Sequence, residues 1–134
     1  RTAVIEDSLI CNGCTIEPGA RVIRSVLSPG VVVKSNAVIE ESIIMTDTVI
    51  CEKAILERAV LDKRVKVGAN CRIGARLNDE NVQIAMVGKA SCVPPGTIIE
   101  AGGLVGTDVI AQDYSSPLVR SGEYIQTGRQ PYEI

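Results

Sequence analysis

The chain has no histidine, no tryptophan and no phenylalanine, and its only aromatic residues are three tyrosines. Without an imidazole it lacks the side chain that most often serves as general base or metal ligand near neutral pH. The scarcity of rings points to a thin core with no space for them. No apolar run approaches the roughly eighteen residues that a membrane-spanning helix needs. Charge is nearly balanced, with 14 basic against 16 acidic residues and a formal net charge of −2. That balance gives no reason to expect nucleic acid or a membrane surface as partner. Neither a starting Met nor a signal peptide is present, and the chain opens at Arg1 already inside a repeat. It reads as one domain cut from a longer protein.

What is abundant is aliphatic residues at a fixed interval. From Ile5 the run continues Ile10, Ile16, Val22, Leu27, Val33, Ile39, Ile44, Ile50, Leu56, Leu61, Val67 and Ile73, with steps of 5, 6 and 6 repeated. The true period is therefore 17 residues. Two positions before each large residue stands a small or slender one: Ala3, Ser8, Cys14, Ala20, Ser25, Val31, Ala37, Ser42, Thr48, Ala54, Ala59, Val65 and Cys71. A helix would place apolar residues at spacings of 3, 4 and 7, which this run does not. Residues two apart share one face of an extended strand. Each 17-residue unit thus predicts three short strands and three corners, one corner a residue shorter than the others. Coils of this kind stack about 4.8 Å apart and pair their backbones as parallel sheet. The period is that of the hexapeptide β-helix.

The rhythm stops after Ile73 and resumes at Val87, Val93, Ile99 and Val105, preceded at distance two by Ala85, Ser91, Thr97 and Gly103. The interval from about 74 to 86 contains Asn78-Asp79-Glu80-Asn81 and reads as a loop inserted at a corner. From Gly106 the pattern is lost. The domain organisation predicted is a β-helix over 1–110 and a C-terminal tail over 111–134 carrying Tyr114, Tyr124 and Tyr132. That tail either caps or packs against the open end of the solenoid, or is a loosely ordered terminus.

Cys11-Asn12-Gly13-Cys14 has the spacing of a redox or zinc half-site. Its phase argues otherwise, because Cys14 falls in an inward slot and Cys11 points outward. No second pair follows at ligand spacing, so no metal site is expected, and the cysteines read as small hydrophobes. Five cysteines without an evident pairing pattern suit a reducing cytoplasm.

Two outward features carry functional weight. The column preceding the short-corner aliphatics is Leu9, Val26, Ile43 and Val60, apolar throughout although it should face solvent. A continuous apolar stripe marks a contact surface on another subunit or domain; the competing explanation is simple strand propensity. Alongside it, Asp7, Arg24, Glu41 and Arg58 stack at 17-residue intervals as a ladder of alternating charge. The second feature is a basic cluster of Lys63, Arg64, Lys66, Arg72 and Arg76, with Lys89 opening the resumed repeat. Converging Lys and Arg would suit a phosphorylated anion; solvated corners would give the same sequence.

Catalysis by this segment itself is not expected. The acyltransfer chemistry best known for this prism uses a histidine base, and β-helical carbonic anhydrases use three zinc-bound histidines; neither is possible here. No paired carboxylates stand out, and Gly102-Gly103-Leu104-Val105-Gly106 falls in phase with the corners, with no need of a phosphate to explain it.

The stretches Ser25-Val26-Leu27-Ser28-Pro29-Gly30-Val31, Glu41-Ser42-Ile43-Ile44-Met45 and Leu61-Asp62-Lys63 resemble the C-terminal domain of bacterial glucose-1-phosphate adenylyltransferase. The resemblance covers about residues 1–110 and shares much of its texture with related sugar nucleotidyltransferases. It implies a left-handed parallel β-helix, a hand that periodicity alone cannot supply and that runs against the usual right-handed crossover. It further implies an N-terminal nucleotidyltransferase domain that uses Mg, joins ATP to glucose 1-phosphate and feeds glycogen or starch synthesis, with no cofactor in this segment. The β-helix would contribute homo-oligomer contacts and part of a site for phosphorylated effectors. Within Leu61-Asp62-Lys63-Arg64-Val65-Lys66-Val67-Gly68 the family's effector-binding lysine falls on Lys63, and a second family lysine falls on Lys89 of Val87-Gly88-Lys89. Lys66 stands where the family has arginine, which removes a bidentate fork. Two other classes fit the residues: a hexapeptide acyltransferase with an unusual base, and a purely structural trimerisation scaffold.

Overall fold

The computed structural model describes residues 2–75 and 83–134. The first coil comprises β1 (Val4–Glu6), β2 (Leu9–Ile10) and β3 (Thr15–Ile16). The second follows as β4 (Arg21–Ile23), β5 (Val26–Leu27) and β6 (Val32–Val33), and the third as β7 (Val38–Glu40), β8 (Ile43–Ile44) and β9 (Val49–Ile50). The fourth is β10 (Ile55–Glu57), β11 (Ala59–Leu61) and β12 (Lys66–Val67). Then come β13 (Arg72–Ala75), β14 (Ala85–Val87) and β15 (Cys92–Val93). The last strands are β16 (Ile98–Glu100), β17 (Leu104–Val105), β18 (Leu118–Val119) and β19 (Tyr124–Ile125).

Corresponding strands pair in parallel into three sheets. Sheet 1 runs β1-β4-β7-β10-β13-β16-β18, sheet 2 runs β2-β5-β8-β11-β14-β17-β19, and sheet 3 runs β3-β6-β9-β12-β15. This is the all-β, left-handed parallel β-helix expected, with about seven turns. Its register is the 17-residue step, as in Val26 against Ile43 and Leu27 against Ile44. The large aliphatics meet on the axis: Leu27, Ile39, Ile44, Ile50, Leu56, Leu61 and Ile73 are fully buried. At about 1.5–3 kcal/mol for each fully buried aliphatic side chain, this stack is the main source of stability. In the first coil the same positions are less covered, and Ile5 is 48% exposed.

The corners explain why the period is 17. Each turns on a residue in the left-handed region, and among the described residues many of these are not glycine. At the short corner they are Asp7, Arg24, Glu41 and Arg58, with φ of 51, 45, 48 and 48°. Such backbone costs on the order of 1–3 kcal/mol per residue unless its surroundings hold it. A serine supplies that hold. The hydroxyl of Ser25 donates to the carbonyl of Ile23 at 2.8 Å and accepts the N–H of Ser42 in the next coil at 3.1 Å. Ser8 and Ser42 repeat the arrangement, the N–H of Ala59 ending the series on Ser42 at 3.1 Å. The hydroxyl bridges two coils where a five-residue corner leaves no spare backbone to do so.

After β13 the register lengthens. Leu61 pairs with Val87, a separation of 26, or nine more than the repeat. The same offset holds for Val67 with Val93 and Ile73 with Ile99, so the extra residues lie between Ile73 and Val87. The polar stretch Asn78-Asp79-Glu80-Asn81 and Arg76 lie outside the described residues.

Beyond 110 the structure departs from the tail the sequence suggests. Leu118 pairs with Ile98 and Tyr124 with Leu104, each across 20 residues, and Val119 is buried in the core. The β-helix therefore runs past Gly106 in two of its sheets. The altered spacing hid this rung from a 17-residue template. Sheet 3 stops at β15, and a 3-10 turn at Ala111–Asp113 leads instead to Tyr114. The Tyr114 ring packs against the core, and its hydroxyl donates to the carbonyl of Cys92 at 2.8 Å. Burial pushes that phenol well above its ordinary range.

Candidate interaction surface and basic corner

Strands of sheet 2 put one residue inward and one outward at each rung. The inward set is Ile10, Leu27, Ile44, Leu61, Val87, Val105 and Ile125; the outward set is Leu9, Val26, Ile43, Val60, Met86, Leu104 and Tyr124. The four outward residues expected from sequence are thus brought into one line, and three more extend it. Leu9 is 61% exposed, Ile43 45% and Tyr124 56%. Met86 and Leu104 were legible from the phase of Val87 and Val105. Tyr124 was not, because its rung lies beyond the irregular spacing. A groove of about 400 Å³ follows the ridge past Met45, Val60, Met86 and Tyr124, and a smaller one of about 280 Å³ lies by Ile43, Arg58 and Ile84.

The equivalent lines elsewhere are interrupted by charge. Sheet 1 carries Arg21 and Arg72 among Val38, Ile55 and Ile98, and sheet 3 carries Lys66 among Val32 and Val49. Sheet 2 alone presents an uncharged line over seven rungs of the described residues. Its edge is the short-corner ladder. There Arg24 lies 3.6 Å from Glu41, and the Arg58 Nε donates to the other oxygen of the same carboxylate at 3.3 Å. Both pairs are partly open to solvent, where such a pair is worth about 0–1 kcal/mol.

The basic residues divide between faces. Lys63 and Arg64 form the corner between β11 and β12, and the register of the flanking strands stacks Lys63 under Lys89 and Arg64 under Ala90. The backbone confirms the stacking, since the N–H of Ala90 donates to the carbonyl of Lys63 at 2.9 Å. Lys66 follows on β12, and all four basic side chains are exposed. Arg72 stands apart: it is round the next corner on sheet 1, with its guanidinium 3.8 Å from Glu57. Corner and sheet 3 thus gather Lys63, Arg64, Lys66 and Lys89, whereas Arg72 does not join them.

All five cysteines are free thiols. Cys14 packs against the core, and its Sγ donates to the carbonyl of Ser28 at 3.1 Å. Burial pushes the Cys71 and Cys92 thiols up, so neither is poised as a thiolate nucleophile. No helix of the described residues is long and apolar enough to cross a membrane.

Comparison with known proteins agrees with this architecture. The family described as GlmU-like, C-terminal hexapeptide matches residues 1–93. The glucose-1-phosphate adenylyltransferase of Desulfitobacterium hafniense is 37% identical over 108 residues, covering 79% of this chain and 27% of that protein. Enzymes of the same name match from Acetivibrio thermocellus (31% identity, 95% of this chain and 31% of that protein) and Thermomicrobium roseum (42%, 80% and 31%). The chain therefore spans less than a third of the length of these curated relatives. Among solved structures, the acetyltransferase domain of PglB from Neisseria gonorrhoeae aligns with a TM-score of 0.47 and 20% identity, over 90% of this chain and 54% of that one. With its repeat, its three parallel sheets and the match over residues 1–93 in agreement, the chain belongs to the GlmU-like C-terminal hexapeptide family.

Proposed function

We propose that the chain is the assembly and effector-binding domain of a glucose-1-phosphate adenylyltransferase. The observation that carries this reading is the set of relatives bearing that name, at 31–42% identity over most of the chain. In the whole enzyme, a phosphate oxygen of glucose 1-phosphate attacks the α-phosphorus of ATP and pyrophosphate leaves, giving ADP-glucose. That chemistry and its Mg belong to an N-terminal nucleotidyltransferase domain, in the cytoplasm, and not to these residues. The β-helix supplies subunit contacts through the apolar line of sheet 2. At the corner where Lys63 stacks under Lys89, it contributes positive charge to a site for a phosphorylated effector. Two ammonium groups one rung apart suit a phosphate that lies across adjacent coils.

The test is pyrophosphate release by the complete gene product supplied with ATP, glucose 1-phosphate and Mg. Turnover is the expected result. Absence of turnover with every nucleoside triphosphate and sugar phosphate tried would remove the reading and leave a scaffold or an acyltransferase.

A further inference from the structure

We propose that the groove beside the basic corner binds a nucleoside diphosphate sugar, the class of molecule that the reaction above would release. The inference rests on the reading of Lys63 and Lys89 as a phosphate site and goes further, in naming what lies on either side of the phosphates. The groove of about 400 Å³ runs along the corner edge of sheet 2 from Met45 to Tyr124, and one of about 130 Å³ continues it past Gln126 and Thr127. A cleft of this size holds a small molecule. Its floor follows one column, in which Asp62, Gly88 and Gly106 stand over one another in successive coils. Val60, Met86 and Leu104 wall one side. The corner column of Lys63, Lys89 and Thr107 borders the other, and the N–H of Asp108 on the carbonyl of Lys89 at 2.9 Å sets Thr107 over Lys89.

The order of groups along the groove selects the ligand. At one end the Tyr124 ring lies over Gly106: a Cβ there would stand 3.1 Å from the phenol oxygen and 3.3 Å from Cε1. Glycine lets the ring come this close to the backbone, and the ring stays more than half exposed. An exposed aromatic side chain of this kind stacks a base. Next along the floor are Gly106 and Gly88, where no side chain obstructs a ribose. Lys89 and Lys63 follow on successive rungs about 4.8 Å apart, one ammonium for each phosphate of a diphosphate. Beyond them the groove ends on Asp62 and Met45. One Asp62 oxygen accepts the N–H of Lys63 at 2.7 Å, and among the described residues nothing donates to the other. A carboxylate in that place accepts sugar hydroxyls and repels a terminal phosphate. Ring, glycines, lysines and acid thus repeat the order base, ribose, diphosphate, sugar. A sugar phosphate without a base would leave Tyr124 unused, and a plain nucleoside diphosphate would set its most highly charged phosphate against Asp62. Bound here, the sugar nucleotide occupies both lysines and competes with a smaller phosphorylated effector. Leu9, Val26 and Ile43, on the first three coils, remain available for subunit contact.

Equilibrium dialysis of labelled ADP-glucose against the complete gene product tests the proposal. The wild type should bind two molecules per subunit, one in the nucleotidyltransferase domain and one here. Tyr124→Ala should lose about tenfold or more in affinity at one site and keep the other, and the retained site shows that the variant is folded. ADP should compete at the groove about tenfold more weakly than ADP-glucose, and Asp62→Asn should abolish that preference. A single site per subunit in a protein that turns over, or two sites that neither variant disturbs, would overturn the groove while leaving the adenylyltransferase reading intact. Equal competition by ADP in the wild type would overturn the assignment of the sugar to Asp62. A Tyr124-dependent site in a protein without turnover would support the groove and remove the adenylyltransferase reading.

Discussion

Ser42 donates its backbone N–H to the hydroxyl oxygen of Ser25, 17 residues earlier, at 3.1 Å. The two serines hold equivalent places in successive coils, immediately after residues with φ of 45 and 48°. The bond therefore secures the corner that gives the repeat its five-residue step. Where the series reaches Ala59, no hydroxyl is available, and the N–H of Ala85 turns to the carbonyl of Arg58 at 3.4 Å instead. Ser25→Ala strands the Ser42 N–H in a buried corner and should cost about 1–3 kcal/mol. Urea unfolding should show a lower midpoint with an unchanged slope. An unaltered midpoint would mean that the corner is held by its strands alone.

Ile43 stands at the middle of the ladder region with its side chain 45% exposed, so it contributes little to the core. Ile43→Asp should leave thermal unfolding of the isolated fold nearly unchanged, because no cavity opens. In the assembly it buries an unpaired carboxylate, which is strongly unfavourable. Light scattering should report the monomer mass for the variant and a larger mass for the wild type. Identical masses would return the stripe to plain strand propensity.

Lys63 and Lys89 are exposed, one above the other at the same corner of adjacent coils. If they share a phosphorylated effector, removing either charge should shift the activation curve of the complete enzyme about tenfold to higher effector concentration, with basal turnover unaffected. Arg72→Ala is the internal control, since its guanidinium sits on another sheet beside Glu57. Equal responses from all three variants would mean a diffuse field effect and no site.

The C-terminal segment has its own pH dependence. The Asp113 carboxylate accepts the N–H of Gly128 at 3.0 Å and that of Ile110 at 2.9 Å, and these two bonds, Gly128 first, hold its pKa below the usual carboxylate value. A depressed folded pKa means the contribution is complete above the unfolded value of about 4 and is lost as pH falls through the folded one. Amide exchange at Gly128, corrected for its intrinsic rate, should be protected near neutrality and lose that protection on acidification. Asp113→Asn should remove the pH dependence. Protection that is indifferent to pH would assign the tail's order to other contacts, such as the Arg129 guanidinium on the carbonyl of Asp108.

Much of this molecule is readable from its sequence because a solenoid repeats one local problem. Each coil must set a large aliphatic on the axis and a small residue near the corner, so Leu27, Ile44 and Leu61 announce their places before any contact is known. Even the separation of Arg72 from Lys66 follows from their columns, since six residues carry the chain round a corner. The basic cluster looks continuous only when read along the chain.

Sequence by itself therefore determined the period, the inward columns, the apolar line through Leu9, Val26, Ile43 and Val60, and the alternation of the charge ladder. Those depend on side-chain identity at fixed spacing, which stacking repeats without variation. Tertiary structure decided what happens where the spacing changes. Pairing of Leu61 with Val87 across 26 residues, and of Leu104 with Tyr124 across 20, is set by backbone hydrogen bonds that do not care how much chain lies between the strands. Through those pairings the apolar line gains Met86, Leu104 and Tyr124, and Lys89 comes to stand over Lys63. A strand recognises its neighbour by register in space, and only the folded coil sets that register across an irregular interval.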